Sequence, residues 1–258
     1  MEEPLERVRR AELESVLPLL PPTSRVLELG GGSGFQAALL ARAGHLVALL
    51  EVPPERGGAA LPGPFRFHSA ALYDGVRVPI GSGACGVVFS SNVLEHVREL
   101  DALLQETRRV LRPGGLAVHV LPSVAWRVWT SFAALGYAAA YALGHRRLVP
   151  GVDSAEACGP VRQRGVREVI RRVALLPLRA HGEHAGAWGT WGACVELWTF
   201  SRPRWRRVFG RLGFRVVRVG TTGMFYTGYG LFPWITVNGR RALARLLGAA
   251  ANVFVLRA

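Results

Sequence analysis

Short apolar runs alternate with amphipathic segments along this chain, and glycine or proline separates most of them. The runs are short enough for strands and nearly continuous, as in a parallel sheet that is covered on both faces. They span residues 26–29, 46–50, 87–90, 116–121 and 252–256. Segments with helical spacing lie between them, at residues 37–43 and 100–111. The alternation predicts an α/β fold with a doubly wound, mostly parallel sheet.

A segment rich in charge precedes the first apolar run. Residues 5–20 alternate charged and apolar side chains at helical spacing and stop at Pro21-Pro22. They predict a lead-in helix, which either covers a ligand cleft or simply packs at the edge of the domain. The residues before it are polar and no apolar core follows them, so we expect no export signal.

Residues 26–36 combine a strand, a tight turn and a helix start. Gly30, Gly32 and Gly34 give the spacing G-x-G-x-G, whereas a dinucleotide-binding loop has G-x-G-x-x-G and would need glycine in place of Phe35. Glycines let the backbone turn sharply and approach a ligand closely. Glu51 ends the next apolar run, where a carboxylate accepts hydrogen bonds from both ribose hydroxyls. The spacing therefore predicts a nucleoside site without a pyrophosphate subsite.

Two later segments follow in a recognisable order. Residues 87–97 form an apolar run that continues into Asn92 and a Leu-Glu-His sequence, and the turn at residues 112–115 reads Arg-Pro-Gly-Gly before another apolar run. With these motifs the chain resembles the class I S-adenosylmethionine-dependent methyltransferases of the small-molecule, type 11-like kind. The resemblance covers about residues 20–123. It implies S-adenosyl-L-methionine as the cofactor.

The resemblance also implies an architecture. We expect a Rossmann-like sheet of seven strands, mostly parallel with an antiparallel last strand, and a helical lid or substrate insertion. Residues 65–70 are then the third strand. Residues 1–123 form the cofactor-binding part, residues 124–200 the inserted region, and residues 201–258 complete the same sheet.

A set of cofactor-binding residues follows from the same resemblance. Asp74 is placed to accept a hydrogen bond from the adenine amine, although a plain Asp-Gly turn explains it equally well. Asn92 is placed to bond the amino-acid end of the cofactor. The Glu95-His96 pair is interpreted as a helix cap, with a metal site as the minor alternative. The predicted cofactor set is Glu28, Gly30, Gly31, Gly32, Gly34, Glu51, Asp74 and Asn92.

The excess of basic residues adds polyanions to the possible binding partners. The formal net charge is +14, and all 32 basic residues are arginine. Such a surface attracts nucleic acid, an anionic membrane or a phosphorylated substrate, and a generally solvated basic surface is the alternative. Cys85, Cys158 and Cys194 lie too far apart in sequence to indicate zinc or a disulfide framework, so we expect a reducing, cytoplasmic setting.

Residues 128–144 form an uncharged stretch with Arg127 on one side and Arg146-Arg147 on the other. Alanine and glycine dominate it, and its length lies at the lower limit for a membrane span. Three interpretations remain open, in this order: a buried or lid helix, an interfacial helix in peripheral contact with a membrane, and a true span.

Residues with catalytic chemistry occur after this stretch. His181, Glu183 and His184 stand close together, so the glutamate can orient either imidazole. Methyl transfer to oxygen needs a positioned base besides orientation and exclusion of water, and histidine has a suitable pKa. We predict these three as catalytic residues, with ordinary hydrogen bonding in a loop as the alternative.

The sequence as a whole predicts an S-adenosylmethionine-dependent methyltransferase that acts on a small molecule, with a lipid-linked or glycan intermediate favoured. RNA methylation is a second hypothesis because of the charge. It is weakened because no Asn/Asp-Pro-Pro-aromatic tetrad and no Pro-Cys pair is present. A non-catalytic, cofactor-binding scaffold is the third. The oligomeric state is not predicted.

Overall fold

The computed structural model describes residues 3–53, 67–142, 192–228 and 234–258, without the side chains of residues 137–142 and 193. Within these residues, seven strands form one sheet in the order β3-β2-β1-β4-β5-β7-β6. The strands are β1 (Arg25–Leu29), β2 (Leu46–Glu51), β3 (Ala71–Leu72), β4 (Cys85–Ser91), β5 (Leu111–Pro122), β6 (Arg215–Thr221) and β7 (Ala251–Arg257).

The pairing confirms the predicted mixture of parallel and antiparallel strands. β1 pairs in parallel with β2 and β4, β2 pairs with β3, and β4 pairs with β5. β7 runs antiparallel to both β5 and β6. Since the strand order reverses between β1 and β4, their carboxyl ends border the crevice where open α/β sheets bind ligands.

Helices cover both faces of the sheet. They are α1 (Pro4–Val16), α2 (Phe35–Arg42), α3 (Leu100–Val110), α4 (Val124–Ala142), α5 (Gly192–Thr199), α6 (Arg202–Arg211) and α7 (Val237–Leu247). On one face, Leu13 of α1 and Leu40 of α2 join a cluster with sheet residues such as Phe89. On the other face, Leu103 of α3 and Trp205 of α6 join a second cluster. The result is the three-layer sandwich of a Rossmann-like fold.

The predicted third strand is wrong. Residues 67–70 are not a strand, and β3 is the exposed pair Ala71–Leu72. The aromatic side chain that made this segment look like a strand has another use: the backbone amide of Phe67 donates to Ser33 O at 3.1 Å, and its ring meets the Phe35 ring edge-on at 5.2 Å between centroids. The segment therefore lies against the glycine loop.

One other boundary differs from the prediction. The strand expected to start after the Arg-Pro-Gly-Gly turn starts before it, at Leu111, and the turn is absorbed as an irregularity between the pairs Cys85–Leu111 and Val87–Leu116. Helix α7 ends at Leu247, because Gly248 follows with a φ of +90°. No helix among the described residues has the length and mean hydropathy that crossing a bilayer requires.

Candidate active site

The loop between β1 and α2 is built from glycines in conformations that other residues rarely adopt. Gly30, Gly32 and Gly34 have φ angles of +66°, +57° and +78°. A Cβ on Gly34 would lie 2.8 Å from the backbone nitrogen of His68, and one on Gly30 would lie 2.7 Å from Val93 Cγ2. The loop therefore has no room for side chains, and without them its backbone can approach a ligand closely. The amides of Gly30 and Gly34 donate within the fold, to Leu50 O at 2.8 Å and to Gly31 O at 3.0 Å.

Glu51 closes the loop from the side of β2. Its Oε2 accepts a hydrogen bond from the amide of Gly32 at 2.7 Å, and its Oε1 accepts one from the amide of Val52 at 2.9 Å. The sequence spacing thus placed this carboxylate correctly beside the glycine loop. Since a carboxylate oxygen accepts more than one hydrogen bond, Glu51 retains capacity for ribose hydroxyls, and that contact stays a prediction.

Glu28 is buried on β1 behind the same loop. A Cβ on Gly31 would lie 2.8 Å from Glu28 Cδ, so glycine is needed there as well. Burial, followed by the nearby charge of Glu51, raises the pKa of the Glu28 carboxyl to about 8. Its Oε2 has no hydrogen-bond partner among the described residues. A buried carboxyl with an unused acceptor beside the glycine loop suits a cationic ligand such as the amino-acid end of S-adenosylmethionine.

Helix α1 bridges the crevice. The guanidinium of Arg10 lies 5.5 Å from the centroid of the Phe35 ring, where α2 starts. Its neighbour Arg9 reaches the carboxyl end of β4. The Asn92 amide is assigned with its oxygen toward the guanidinium, since the other orientation would set donors against donors, and this oxygen accepts from Arg9 Nη2 at 3.3 Å and also from Nη1. The lead-in helix thus packs on the domain through Leu13 and Val16 and also reaches the carboxyl end of β4, while its role as a cover of the ligand cleft stays a prediction.

Asn92 holds this helix in place. It has a φ of +54°, and its backbone amide donates to Val120 O at 2.9 Å. Its side-chain oxygen also accepts from Ser91 Oγ at 3.2 Å. The geometry thus assigns Asn92 a contact that the sequence did not predict, to α1, while its contact with the cofactor stays a prediction.

A buried polar network continues from Arg9 toward β6. Arg9 Nη1 donates to Glu12 Oε2 at 2.9 Å, and Tyr226 and Thr222 donate to Glu12 Oε1 at 3.0 and 3.2 Å. Burial, and then the Glu12 charge, raises the pKa of the Tyr226 hydroxyl. Sequence reasoning missed this network because its members lie more than 200 residues apart. One signal was present: Glu12 falls among the apolar positions Ala11 and Leu13 of α1.

The Glu95-His96 pair does not cap a helix, so that interpretation is wrong. Both residues belong to a one-turn 3-10 helix, Leu94–His96, and α3 begins after Glu99 without any side-chain cap. Among the described residues neither oxygen of Glu95 has a hydrogen-bond partner, and His96 Nε2 is 3.8 Å from Oε1. Burial raises the pKa of Glu95 to about 8, although its own backbone amide and Arg9 oppose the shift.

Asp74 forms the Asp-Gly turn, which is one of the two interpretations that the sequence allowed. Its Oδ1 accepts from the amides of Val76 and Arg77 at 2.9 and 2.7 Å, and Gly75 has a φ of +88°. This is an Asx turn on the surface. A contact with adenine stays a prediction.

The uncharged stretch after β5 lies within α4 as far as Ala142. Arg127, which the sequence placed as a flanking charge, is buried and pairs with the buried Glu196 of α5 at 3.1 Å. Phe132 and Leu135 are about half exposed on α4, at 57% and 49%. The described part of α4 is thus a packed helix. The predicted catalytic residues His181, Glu183 and His184 lie outside the described residues.

The fold and this site define a nucleoside-binding α/β enzyme, and known proteins identify its class. The methyltransferase-domain family Methyltransf_23 matches residues 1–219. An uncharacterized methyltransferase of Mycobacterium sp. (strain JLS) is 32% identical over 188 residues, which cover 72% of this chain and 68% of that protein. Another from Mycobacterium sp. (strain KMS) is 33% identical over 189 residues, with the same two coverages of 72% and 68%.

A solved structure shares the fold. The S-adenosylmethionine-dependent methyltransferase of Mesorhizobium loti superposes with a TM-score of 0.52 at 16% identity, covering 96% of this chain and 98% of that one. The family match, the strand order and the glycine loop together show that this chain belongs to the methyltransferase-domain family. It is a class I S-adenosylmethionine-dependent methyltransferase.

Proposed function

We propose that this enzyme transfers the methyl group of S-adenosylmethionine to a small molecule, with a lipid-linked or glycan intermediate as the favoured acceptor. The observation that carries the proposal is the position of α1. By contacting Phe35 through Arg10 and Asn92 through Arg9, the helix covers the crevice from both sides. A covered crevice admits a small acceptor more readily than a folded RNA. The exposed Phe132, Leu135 and Trp198 supply apolar surface for a lipid part.

The described residues fit the cofactor. The glycine loop and Glu51 would hold the nucleoside, and the buried carboxyl of Glu28 would favour the cationic amino-acid end. When bound, the cofactor supplies a methyl group on a sulfonium, which a nucleophile attacks in line. The protein's part is to position the two reactants and to keep water out, which α1 does by spanning the crevice.

An oxygen or nitrogen acceptor must also lose a proton. Among the described residues Glu95 offers a proton acceptor near the crevice, because it is buried after β4, has no hydrogen-bond partner and has a pKa of about 8. His181 and His184 are the further candidates from the sequence. Glu95→Gln should lower kcat by about 100-fold with little change in affinity for S-adenosylhomocysteine, and an unchanged kcat would exclude Glu95 as the base.

The acceptor class can be tested directly. The protein is incubated with methyl-labelled S-adenosylmethionine and with separate small-molecule, lipid and RNA fractions of a cell extract. We expect label in the small-molecule or lipid fraction, and none there with Gly34→Val. Label that enters RNA alone would contradict the proposal.

A further inference from the structure

A cavity lies on the same edge of the sheet but away from the glycine loop. It has a volume of about 550 Å³ and lies where α4 and α6 begin, where β6 ends and where α7 finishes. This size falls in the usual range for small-molecule sites. The cavity lies over β7, which is two strands away from β4 in the sheet. The spacing between neighbouring strands therefore puts the cavity ~10 Å from the end of β4. A small acceptor can span this distance.

The charged residues that line the cavity all have the same sign. Arg202 comes from the start of α6, and Arg241 and Arg245 lie one turn apart on α7. No carboxylate of the described residues lines the cavity. Like charges four residues apart on a helix repel each other, so Arg241 and Arg245 destabilise α7 unless an anion lies between them. Glu14 is 3.8 Å from Arg241, but both side chains are about half exposed and the pair is weak.

Arg202 is held in place at the cavity wall, and the backbone at the start of α4 adds to the positive electrostatic potential of the cavity. Arg202 Nε donates to Asn252 Oδ1 at 2.7 Å, which fixes the guanidinium at the cavity wall. Val124 and Ala125, in the first turn of α4, also line the cavity. Ser123 Oγ caps the amide of Trp126 at 3.0 Å, while the amides of the first two residues have no acceptor within the helix. The positive end of the α4 dipole therefore adds to the arginine charges.

We propose that this cavity binds the phosphate or diphosphate group of the methyl acceptor. Three guanidinium groups suit a multiply charged anion better than they suit a ligand with a single carboxylate. Each guanidinium can also donate two parallel hydrogen bonds to two phosphate oxygens. The assignment of this anion to the acceptor rests on the proposed function, which places a small molecule in the crevice. The predicted substrate class is thus a phosphorylated small molecule, including a diphosphate-linked lipid.

The anion site is tested with inorganic pyrophosphate at constant ionic strength. Titration calorimetry should show binding that falls by about tenfold or more in Arg241→Gln/Arg245→Gln and stays unchanged in Arg206→Gln, an exposed arginine of α6 that does not line the cavity. All three proteins should bind S-adenosylhomocysteine equally, which shows that they are folded. No pyrophosphate binding, or equal binding by the double variant, would overturn the proposal.

The link to the acceptor has its own test. A small-molecule extract and a lipid extract are treated with phosphatase together with a pyrophosphatase that cleaves diphosphate diesters, before they are offered with labelled cofactor. We expect methylation of the untreated extracts and its loss after treatment. Methylation that survives the treatment would overturn this inference but leave the proposed function standing, whereas no methylation of the untreated extracts would count against both.

Discussion

The two halves of the ligand-binding edge are built in different ways. At the ends of β1 and β2, the glycine loop and two carboxylates within residues 28–51 form the predicted cofactor site. At the ends of β5 and β6, side chains from residues 123–252 form the cavity, and three of them are arginine. The first half depends on glycines that nothing can replace. The second depends on charges that substitution can remove without moving the backbone.

The buried pair between α4 and α5 is the strongest test of the side-chain half. Arg127→Met would leave the Glu196 carboxylate buried without its partner, so we expect the free energy of unfolding to fall by about 3–5 kcal/mol in urea titrations. The double variant Arg127→Met/Glu196→Leu should recover most of this loss. Equal stability of the single variant and the wild type would show that the pair is not buried in solution.

Gly34→Val is the matching test of the backbone half. The left-handed conformation and the nearby backbone of His68 exclude a β-branched residue, so we expect affinity for S-adenosylhomocysteine to fall by about 100-fold or more. Gly220→Ala is the control, because an added Cβ there meets nothing within 4 Å. Calorimetry that finds full affinity in the valine variant would contradict the role of the loop.

Glu51→Ala should have a smaller effect, confined to the cofactor half. Removing the carboxylate removes the predicted charge-assisted hydrogen bonds from the ribose hydroxyls, which costs about 1.5–3 kcal/mol, or roughly 10- to 100-fold in affinity for S-adenosylhomocysteine. Asp101→Ala removes an exposed carboxylate paired with Arg211 and should leave the affinity unchanged. Similar affinities for the two variants would exclude the ribose contact.

Glu95 should make the stability of the folded protein depend on pH. Its folded-state pKa of about 8 lies above its value in the unfolded chain, so the folded protein keeps a proton that the unfolded chain loses between about pH 4.5 and pH 8. The free energy of unfolding should therefore decrease as pH rises through this window, by up to about 1.4 kcal/mol per pH unit for this group. Glu95→Gln should reduce that slope, and an unchanged slope in urea titrations would show that Glu95 is ionised throughout. Glu28 contributes with the same sign.

Of these variants, Asp74→Ala should have the smallest effect on stability and on cofactor affinity. Since Oδ1 already serves the Asx turn, we expect a loss of about 0.5–1 kcal/mol in stability and less than about threefold in affinity for S-adenosylhomocysteine. A tenfold loss of affinity would instead support the adenine contact that the resemblance implies.

The sequence predicted what is local. The glycine loop and the place of Glu51 follow from spacing within about twenty residues, because each depends on the turn between two neighbouring elements. The third strand was misplaced because Phe67 packs on Phe35, a contact that alternation along the chain does not reveal. The network of Arg9, Glu12 and Tyr226, and the three arginines of the cavity, could not be predicted since their members meet only in the folded chain.

The central claim is that the loop at residues 30–34 binds the nucleoside cofactor. Titration calorimetry of the wild-type protein with S-adenosylhomocysteine tests it most directly. We predict saturable binding with one ligand per chain. A folded protein that gives no binding heat with the ligand at about 1 mM would contradict the claim.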